Sequence, residues 1–290
     1  MSLGDLGRIN TNLLAKQSLA SLNRINRTVA QSQLRLATGL RINRAEDDAA
    51  GFSIAAKLRS RVAGLEQALQ NTGDAKSVLD IAESSLNSLI DIVTTLKTKA
   101  TQAANGSLGS EERGFIQLEV ETLRGEIDSI VAQTQFQNQA LLDGNFNANF
   151  QVGEGTASAI SVEISQGGAG FTAAELNLDG IDVSTQAGAS SALTEIDAAI
   201  STLASAVNSL GVSQTRLSIR EEFLSRSIIT NSAIRSRIQD VDFARETSNL
   251  IRGQIIQQTA IASLVQANAA PASILQILSI DTPFGFATRF

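Results

Sequence analysis

An unbroken apolar heptad repeat limits the folds open to this chain more than any other feature. Between residues 75 and 100 the apolar side chains are spaced alternately by four and three positions, namely Ala75, Leu79, Ala82, Leu86, Leu89, Val93, Leu96 and Ala100. That spacing draws one apolar stripe along a helix and is typical of a coiled-coil seam. Proline, which would interrupt a helix, occurs only at positions 271 and 283. The sequence therefore predicts a mainly α-helical fold built on long helices.

A second apolar repeat lies late in the chain and supplies the partner that the first one needs. Its members are Leu193, Ile196, Ile200, Leu203, Val207 and Leu210, continued more loosely by Leu217, Leu224, Ile228 and Ile238. Between the repeats, the glycines of NGSLGSEERGF end one helix, and Ser110 with Glu111 and Glu112 is expected to begin another over about residues 111–135. We therefore predict a long antiparallel coiled-coil helical bundle.

The apolar period changes to two in the middle of the chain. Ile160, Val162 and Ile164 alternate with polar residues after a glycine-containing turn, which predicts a small β-hairpin region near residues 148–166. Residues 167–190 are rich in glycine, alanine and serine, with one further short strand expected at GIDVS. This composition predicts a short, variable, exposed connection.

The two ends carry amphipathic helices whose apolar faces are wider than a two-helix seam needs. Residues 3–40 and 250–280 set leucine, isoleucine and valine among uncharged polar residues. Only 18% of the chain is charged, against about 25% in typical domains. Such helices would expose apolar stripes on a lone subunit, so they are expected to pack against other copies. Contacts between identical subunits that do not close on themselves produce an open helical filament.

The composition removes most catalytic and metal-binding chemistry. The chain has no Cys, His, Trp or Tyr, so thiolate and imidazole ligands, disulfides and the usual nucleophile–base pairs are all missing. A formal net charge of −6 disfavours nucleic acid and anionic membranes as partners. We therefore predict a protein that is not an enzyme and has no cofactor or metal site. We also expect neither a cleaved signal peptide nor a membrane span.

Four stretches of this sequence resemble bacterial flagellin. They are INTNLLAKQSLASLNRIN, LATGLRINRAEDDAAGFSIAAKLRS, EIDSIVAQTQFQNQALLDG and NSAIRSRIQDVDFARETSNLIRGQIIQQTAIASLVQAN, and they stand towards the two ends as in that family. The resemblance implies a structural subunit that self-assembles into the extracellular bacterial flagellum for swimming motility. It also implies secretion through the flagellar export apparatus, with an export chaperone, the filament cap and hook-junction proteins as partners. A hook-filament junction protein, which has similar terminal helices, is the alternative.

The resemblance also implies how the chain is divided. The expected parts are an inner, channel-lining helix with a linker at 1–43, a rod portion with two helices and the hairpin at 44–166, the variable connection at 167–190, a second rod helix at 191–240, and an inner helix with a tail at 241–290. The terminal helices are expected to pair as an inner coiled coil in the polymer. The tail carries Phe284, Phe286 and Phe290, and two interpretations stay open: a contact with the channel or the chaperone, and a frayed end.

The stretch RINRAEDDAAGFSIAAKLRS sets charges where the inner helix is expected to meet the rod. A catalytic or metal-binding carboxylate pair at Asp47 and Asp48 would need a third partner and a pocket, and adjacent residues on a helix point about 100° apart. The charges are instead predicted to shape a joint and to contact neighbouring copies, with Arg235 and Arg237 pairing with acids such as Glu46 or Asp47 across subunits. The candidates are Arg41, Asn43, Arg44, Glu46, Asp47, Asp48, Arg235, Arg237 and Asp240.

One departure from the family concerns innate immunity. The flagellin-sensing Toll-like receptor reads an Arg, a Leu and a Glu on the first rod helices of the family. The matching positions of this chain hold Thr95, Lys99 and Glu119, so only the glutamate agrees. Weak recognition by that receptor is therefore expected.

Overall fold

The computed structural model describes residues 11–280, and the side chains of residues 11–270. The helices of this range are α1 (Leu13–Thr38), α2 (Ala49–Ala103), α3 (Ser110–Gln133), α4 (Gln186–Gln239) and α5 (Phe243–Ile280). The strands are β1 (Gln135–Phe136), β2 (Gln139–Ala140), β3 (Asn147–Gln151) and β4 (Ala159–Glu163). The prediction of a mainly α-helical fold with a small β region is confirmed. The aromatic tail with Phe284, Phe286 and Phe290 lies outside the described residues.

The chain separates into two compact units, and each is described by itself. The first unit comprises residues 11–58 and 233–280 of the described range, and the second comprises residues 59–232. The boundaries between the units fall within the residue ranges of α2 and α4.

In the first unit, α1 and α5 pack along each other in antiparallel directions. Asn12 caps α1 by accepting a hydrogen bond from the backbone N–H of Ala15 at 2.9 Å, and its amide donates to the carbonyl of Ala267 at 2.7 Å. Further along α1, Asn26 accepts from the amide of Gln257 at 2.8 Å. The partner numbers fall on α5 as they rise on α1, which fixes the antiparallel direction.

In the second unit, α2 and α4 pack through the two predicted apolar repeats. Every member of the first repeat, from Ala75 to Ala100, is fully buried, and the second contributes buried residues at positions 196, 203, 210 and 217. The ion pairs Lys76–Glu221 at 2.9 Å and Lys97–Asp197 at 2.6 Å have partner numbers that fall on α4 as they rise on α2, so the two helices run antiparallel. The antiparallel coiled-coil bundle is confirmed.

The helix α3 lies close to its expected range of residues 111–135. Its N-cap is Gly109 rather than Ser110, while Glu111 and Glu112 occupy the first turn as expected, where the positive end of the helix dipole favours acids.

Arg113 of α3 also caps the C-terminal end of α2. The guanidinium of Arg113 donates to the carbonyls of Ala103 at 2.8 Å and Asn105 at 3.0 Å. The last carbonyls of a helix lack intrahelical donors, so Arg113 satisfies groups that the turn would otherwise leave to water.

The predicted hairpin is formed by β3 and β4, which pair antiparallel with Asn149 opposite Ser161. Ile160, Val162 and Ile164 are buried as their alternation predicts. The strands β1 and β2 form a second, two-residue ladder that the sequence reasoning did not identify.

Residues 167–190 are not the exposed connection that their composition predicts. Their larger apolar side chains are buried in the core of the second unit, namely Phe171, Leu176, Leu178, Ile181 and Val183. Polar side chains of α3 hold this segment, since Asp128 accepts from the N–H of Ala173 and Gln117 from the N–H of Val183, each at 2.8 Å. No strand forms at GIDVS among the described residues, and α4 already begins at Gln186. The prediction was wrong because small residues dominate the composition, whereas a few irregularly spaced large ones decide the burial.

Candidate functional site

The connection from α1 to α2 and the connection from α4 to α5 lie side by side in the first unit, and we call them together the joint (residues 39–48 and 239–242). Gly39 ends α1 with a φ of +71°, a left-handed conformation that glycine adopts without steric cost. The chain then pairs with the end of α4 through an antiparallel bridge between Leu40 and Asp240.

Arg41 ties the joint to the C-terminal end of α4. Its backbone N–H donates to the carbonyl of Gln239 at 2.7 Å, and its guanidinium donates to the carbonyl of Ile238 at 2.6 Å. Within the loop, the amide of Asn43 donates to the carbonyl of Leu40 at 2.8 Å. Both predicted candidates therefore bond to backbone carbonyls of their own chain.

Asp47 is the hydrogen-bonding centre of the joint. One carboxylate oxygen accepts the backbone N–H groups of Asn43 and Arg44, each at 3.0 Å, and the other accepts the amide of Gln31 at 2.6 Å. The bond from the Arg44 N–H is the largest influence on the pKa of Asp47; the bonds from Asn43 and Gln31 and the charge of Arg35 also lower it, while burial opposes them. The net result is a pKa below the ordinary value, so the carboxylate stays ionised and keeps the loop closed.

Asp48 has a separate task as the cap of α2. Its side chain accepts from the N–H of Gly51 at 2.9 Å, and its carbonyl accepts from the N–H of Phe52 at 2.9 Å. A Cβ atom on Gly51 would lie 2.5 Å from the Asp48 carboxylate and 2.8 Å from the buried Ile42 side chain. The two adjacent aspartates therefore act on different elements and do not converge on one reactive centre.

Arg35 connects the joint to α5. Its guanidinium nitrogens lie 3.9 Å from a carboxylate oxygen of Asp47 and 3.9 Å from one of Glu246, a buried acid in the first turn of α5. Sequence reasoning missed Gln31, Arg35 and Glu246. Their contacts join positions far apart in the chain, so no local pattern carries a signal for them.

The remaining joint candidates lie at the surface. Arg44 and Glu46 form an exposed ion pair with each other at 3.0 Å. Arg235 is half-buried and Arg237 exposed on α4, and neither has an ion-pair partner within the described residues. A single subunit therefore leaves both arginines available to acids of another molecule.

The positions that match the receptor-binding motif lie together on the second unit. Lys99 of α2 and Glu119 of α3 form an ion pair at 2.6 Å. Thr95 is exposed one turn earlier on α2, and its hydroxyl donates to the carbonyl of Asp91 at 3.0 Å. The one glutamate that agrees with the family is thus already bound by a lysine of its own chain.

The helices of the first unit keep apolar side chains in water after α1 and α5 have paired. The exposed ones are Leu13, Leu14, Leu19 and Leu34 on α1 and Phe243, Ile251, Ile255, Ile256, Ile261 and Val265 on α5. An apolar surface of this extent on a single chain is typical of an interaction surface.

Within the described residues, no helix is both long and apolar enough to cross a lipid bilayer. No three acidic side chains of that part of the chain approach closely enough to hold a metal ion together.

Comparison with known proteins gives matches over almost the whole chain. The model of the bacterial flagellin N-terminal helical region matches residues 9–147, and that of the C-terminal helical region matches residues 193–278. A flagellin of Bacillus subtilis (strain 168) is 34% identical, with 93% of this chain and 99% of the relative covered. The flagellar filament 33 kDa core protein of Treponema phagedenis is 33% identical with the same coverage. The structure of a putative flagellar hook-associated protein from Vibrio parahaemolyticus has a TM-score of 0.56 at 16% identity, covering 67% of this chain and 100% of that one, a likeness of fold alone.

Proposed function

Since this chain belongs to the bacterial flagellin family and is a structural subunit of the extracellular flagellar filament, we propose that it polymerises by burying the free faces of α1 and α5 against other copies. The alternative, a hook-filament junction protein, is not favoured, because relatives at 33% and 34% identity over nearly their full length are a filament core protein and a flagellin.

The observation that carries the proposal is the apolar surface left on the paired terminal helices. Residues such as Leu19, Ile255 and Val265 stay exposed although α1 and α5 already cover each other. Burial of apolar surface contributes about 25 cal/mol per Å² removed from water, so several side chains of this kind supply a strong drive for association. Polymerisation removes them from water, whereas pairing within one chain does not.

Seeded extension tests the proposal. Purified protein mixed with sheared filament fragments is expected to lengthen the fragments, as seen by electron microscopy, and to become sedimentable. Ile255→Asp places a charge on the face that should be buried, and it is expected to stop extension. The control, Asn87→Asp, adds the same charge at an exposed polar position of α2 and should extend normally. Extension by the Ile255 variant at the normal rate would contradict the proposal.

The joint is proposed to hold α1 and α5 in the geometry that polymerisation requires. Arg41, Asn43, Asp47 and Asp48 each bond backbone groups that fix the loop. The free arginines Arg235 and Arg237 would then pair with acids of a neighbouring copy, such as Glu46. Arg44→Ala and Asp48→Ala should impair polymerisation or filament shape while circular dichroism stays nearly unchanged, and normal motile filaments from both variants would contradict this role.

Family membership further supports delivery of the subunit through the flagellar export apparatus, with an export chaperone, the filament cap and hook-junction proteins as partners. Blocking flagellar export should retain the chain inside the cell. Normal secretion after the block would contradict this route.

Weak recognition by the flagellin-sensing Toll-like receptor is proposed from the positions Thr95 and Lys99, which depart from the family motif. Glu119, the position that agrees with the family motif, is also bound in an ion pair by Lys99. A receptor-reporter assay should give low activation, and the combined change Thr95→Arg with Lys99→Leu should raise it. Strong activation by the unchanged protein would contradict the proposal.

A further inference from the structure

We propose that Asn105 is a site of spontaneous modification, which loses its side-chain amide and becomes isoaspartate under the direction of Arg113. Asn105 lies in the turn between α2 and α3, at the start of the stretch NGSLGSEERGF. Of all the asparagines in the chain, Asn105 alone is followed by glycine. The inference is independent of the proposed polymerisation, because the reaction needs only the folded chain and water.

The reaction joins the backbone nitrogen of Gly106 to Cγ of Asn105. Water or hydroxide takes the proton of the Gly106 N–H, and the nitrogen attacks Cγ. The bond from Cγ to Nδ2 breaks, and that nitrogen leaves as ammonia with a proton taken from water. The cyclic imide that remains is opened by water, which adds to one of the two carbonyls and breaks its bond to the Gly106 nitrogen. The product is aspartate or isoaspartate, according to which carbonyl is attacked.

The attacking nitrogen of Gly106 is accessible and has no competing partner. Asn105 and Gly106 are both exposed. Within the described part of the chain the Gly106 N–H donates no hydrogen bond, whereas the N–H groups of Asn105 and Ser107 on either side of it both do. Glycine also has no Cβ to restrict the backbone rotation that closes the ring. The nitrogen can therefore reach Cγ without breaking a bond of the folded turn.

The side chain of Asn105 is held in a way that favours attack. Its Oδ1 accepts from the backbone N–H of Ser107 at 3.2 Å, while its Nδ2 has no partner among the described residues. When the Gly106 nitrogen adds to Cγ, negative charge develops on Oδ1, and a donor already aimed at that oxygen stabilises the charge. The leaving nitrogen is not retained by any bond of its own.

Arg113 directs the second step towards isoaspartate. Its guanidinium donates to the backbone carbonyl of Asn105 at 3.0 Å and is fixed by a second bond to the carbonyl of Ala103 at 2.8 Å. In the cyclic imide, this bond polarises the carbonyl that comes from the Asn105 backbone. Addition of water there leaves Gly106 attached through Cγ, which is the isoaspartate linkage. The oxygen bound by Arg113 then belongs to a carboxylate, and the charged pair is stronger than the original bond to a neutral carbonyl.

The asparagines that precede serine provide a comparison within the same molecule. They are Asn87 in α2 and Asn208 and Asn231 in α4. Inside a helix, the N–H that follows each of them bonds to the carbonyl four residues earlier, so it is not available as a nucleophile. These side chains are expected to stay intact while Asn105 reacts.

Ageing of the purified full-length protein at neutral pH tests the site. Peptide mass spectrometry should find the mass gain of an amide-to-acid exchange at Asn105 before any other asparagine, with ammonia released in equal amount. Gly106→Ala should slow the reaction by about tenfold, because a Cβ restricts the backbone. This variant should still fold, since the added atom meets only the side chain of Gln186, at 3.6 Å.

The matched control is Gly125→Ala in α3, where an added Cβ meets nothing within 4 Å. Its Asn105 should react at the normal rate. If Asn105 stays intact while other asparagines react, or if Gly106→Ala reacts as fast as the unchanged protein, Asn105 is not the site and the proposal is wrong.

Product analysis tests the role of Arg113. A protein isoaspartate methyltransferase labels isoaspartate but not aspartate, so labelling with it gives the share of isoaspartate among the reacted chains. The same chain unfolded in guanidinium chloride gives the share that the sequence alone produces, and the folded chain should exceed it. Arg113→Gln should return the folded chain to the unfolded share, with circular dichroism used to verify its helices.

Arg124→Gln is the control for this change, because Arg124 lies on the same helix but bonds to Asp179. It should leave the isoaspartate share of the folded chain unchanged. Equal shares in the folded and unfolded forms of the unchanged protein would refute the direction by Arg113. An equal loss in both arginine variants would refute it as well.

Discussion

At the scale of single residues, the joint depends on side chains that bond to backbone groups. Asp47 gathers two N–H groups and the Gln31 amide, whereas Asp48 caps α2. Two adjacent acids between basic residues could be taken for a shared chemical site, but neighbouring positions on a helix already point about 100° apart. The structure separates their tasks and shows why both are acidic: an ionised carboxylate accepts strong hydrogen bonds from N–H donors.

The joint is expected to weaken in acid through Asp47. An open loop protonates this carboxylate with the ordinary pKa of about 4, whereas in the folded joint its pKa is lower. The open form thus binds the proton first, so the closed joint gains stability above about pH 4 and loses it as the pH falls through the folded pKa. Hydrogen exchange of the Asn43 and Arg44 amides, corrected for intrinsic rates, should show this loss. Asp47→Asn should exchange faster at neutral pH with little further change in acid; an equal acid response in that variant would refute the assignment.

Gly51→Ala is expected to disrupt the joint for steric reasons. The added methyl would collide with the Asp48 carboxylate and with Ile42, so the cap of α2 should be lost at a cost of about 1 kcal/mol or more. Gly73→Ala is a matched control in the same helix, because a Cβ there meets nothing within 4 Å, and it should stabilise α2 by about 0.5–1 kcal/mol. Chemical denaturation and seeded extension measure both variants. Equal behaviour of the two would contradict the steric account.

At the scale of elements, a helical apolar repeat can be predicted from the sequence, whereas a polar contact between two elements cannot. The seam of α2 was predictable because a coiled-coil stripe repeats within a short window. The burial of residues 167–185 was not, because it follows from contacts with α3 through Gln117, Arg124 and Asp128. Irregular backbone can be buried only where its polar groups find partners, and those partners belong to another element.

Gln117→Ala is expected to loosen this segment. The side chain accepts from the N–H of Val183 at 2.8 Å and donates to the carbonyl of Ile181 at 3.3 Å. Its removal leaves a polar group without a partner beside the core, at a cost of about 1–3 kcal/mol. Limited proteolysis should then cut within residues 167–185 faster than in the unchanged protein. Thr122→Ala, an exposed change on the same helix whose hydroxyl bonds only within α3, should leave the cutting rate unchanged.

At the scale of the whole molecule, each unit completes its own packing yet leaves apolar side chains in water. The first unit does so along α1 and α5, and the second on α3 and α4. A subunit with these surfaces is stable enough to fold and still gains by association. Polymerisation is therefore driven by the apolar side chains that remain exposed in each unit after folding.

Amide hydrogen exchange rates are expected to differ between the monomeric subunit and the filament. In the monomer, α1 and α5 have few buried side chains, Val29 and Ser32 being the buried residues of α1, so these helices should open readily. In the filament their exchange should slow by about tenfold or more, whereas the buried seam of α2 should change little. Unchanged exchange of α1 and α5 on polymerisation would contradict the burial of their free faces.

The sequence by itself determined the elements whose signal is periodic: the long helices, the antiparallel seams, the hairpin and the apolar stripes of the terminal helices. It also identified the stretch that forms the joint and, through four matching segments, the family. Only the tertiary structure decided that Asp47 and Asp48 serve different elements, that Gln31, Arg35 and Glu246 complete the joint, and that residues 167–185 are buried. The physical reason is that periodic burial repeats every few residues and can be read locally, whereas a hydrogen bond or ion pair depends on directions and on partners that only the folded chain brings together.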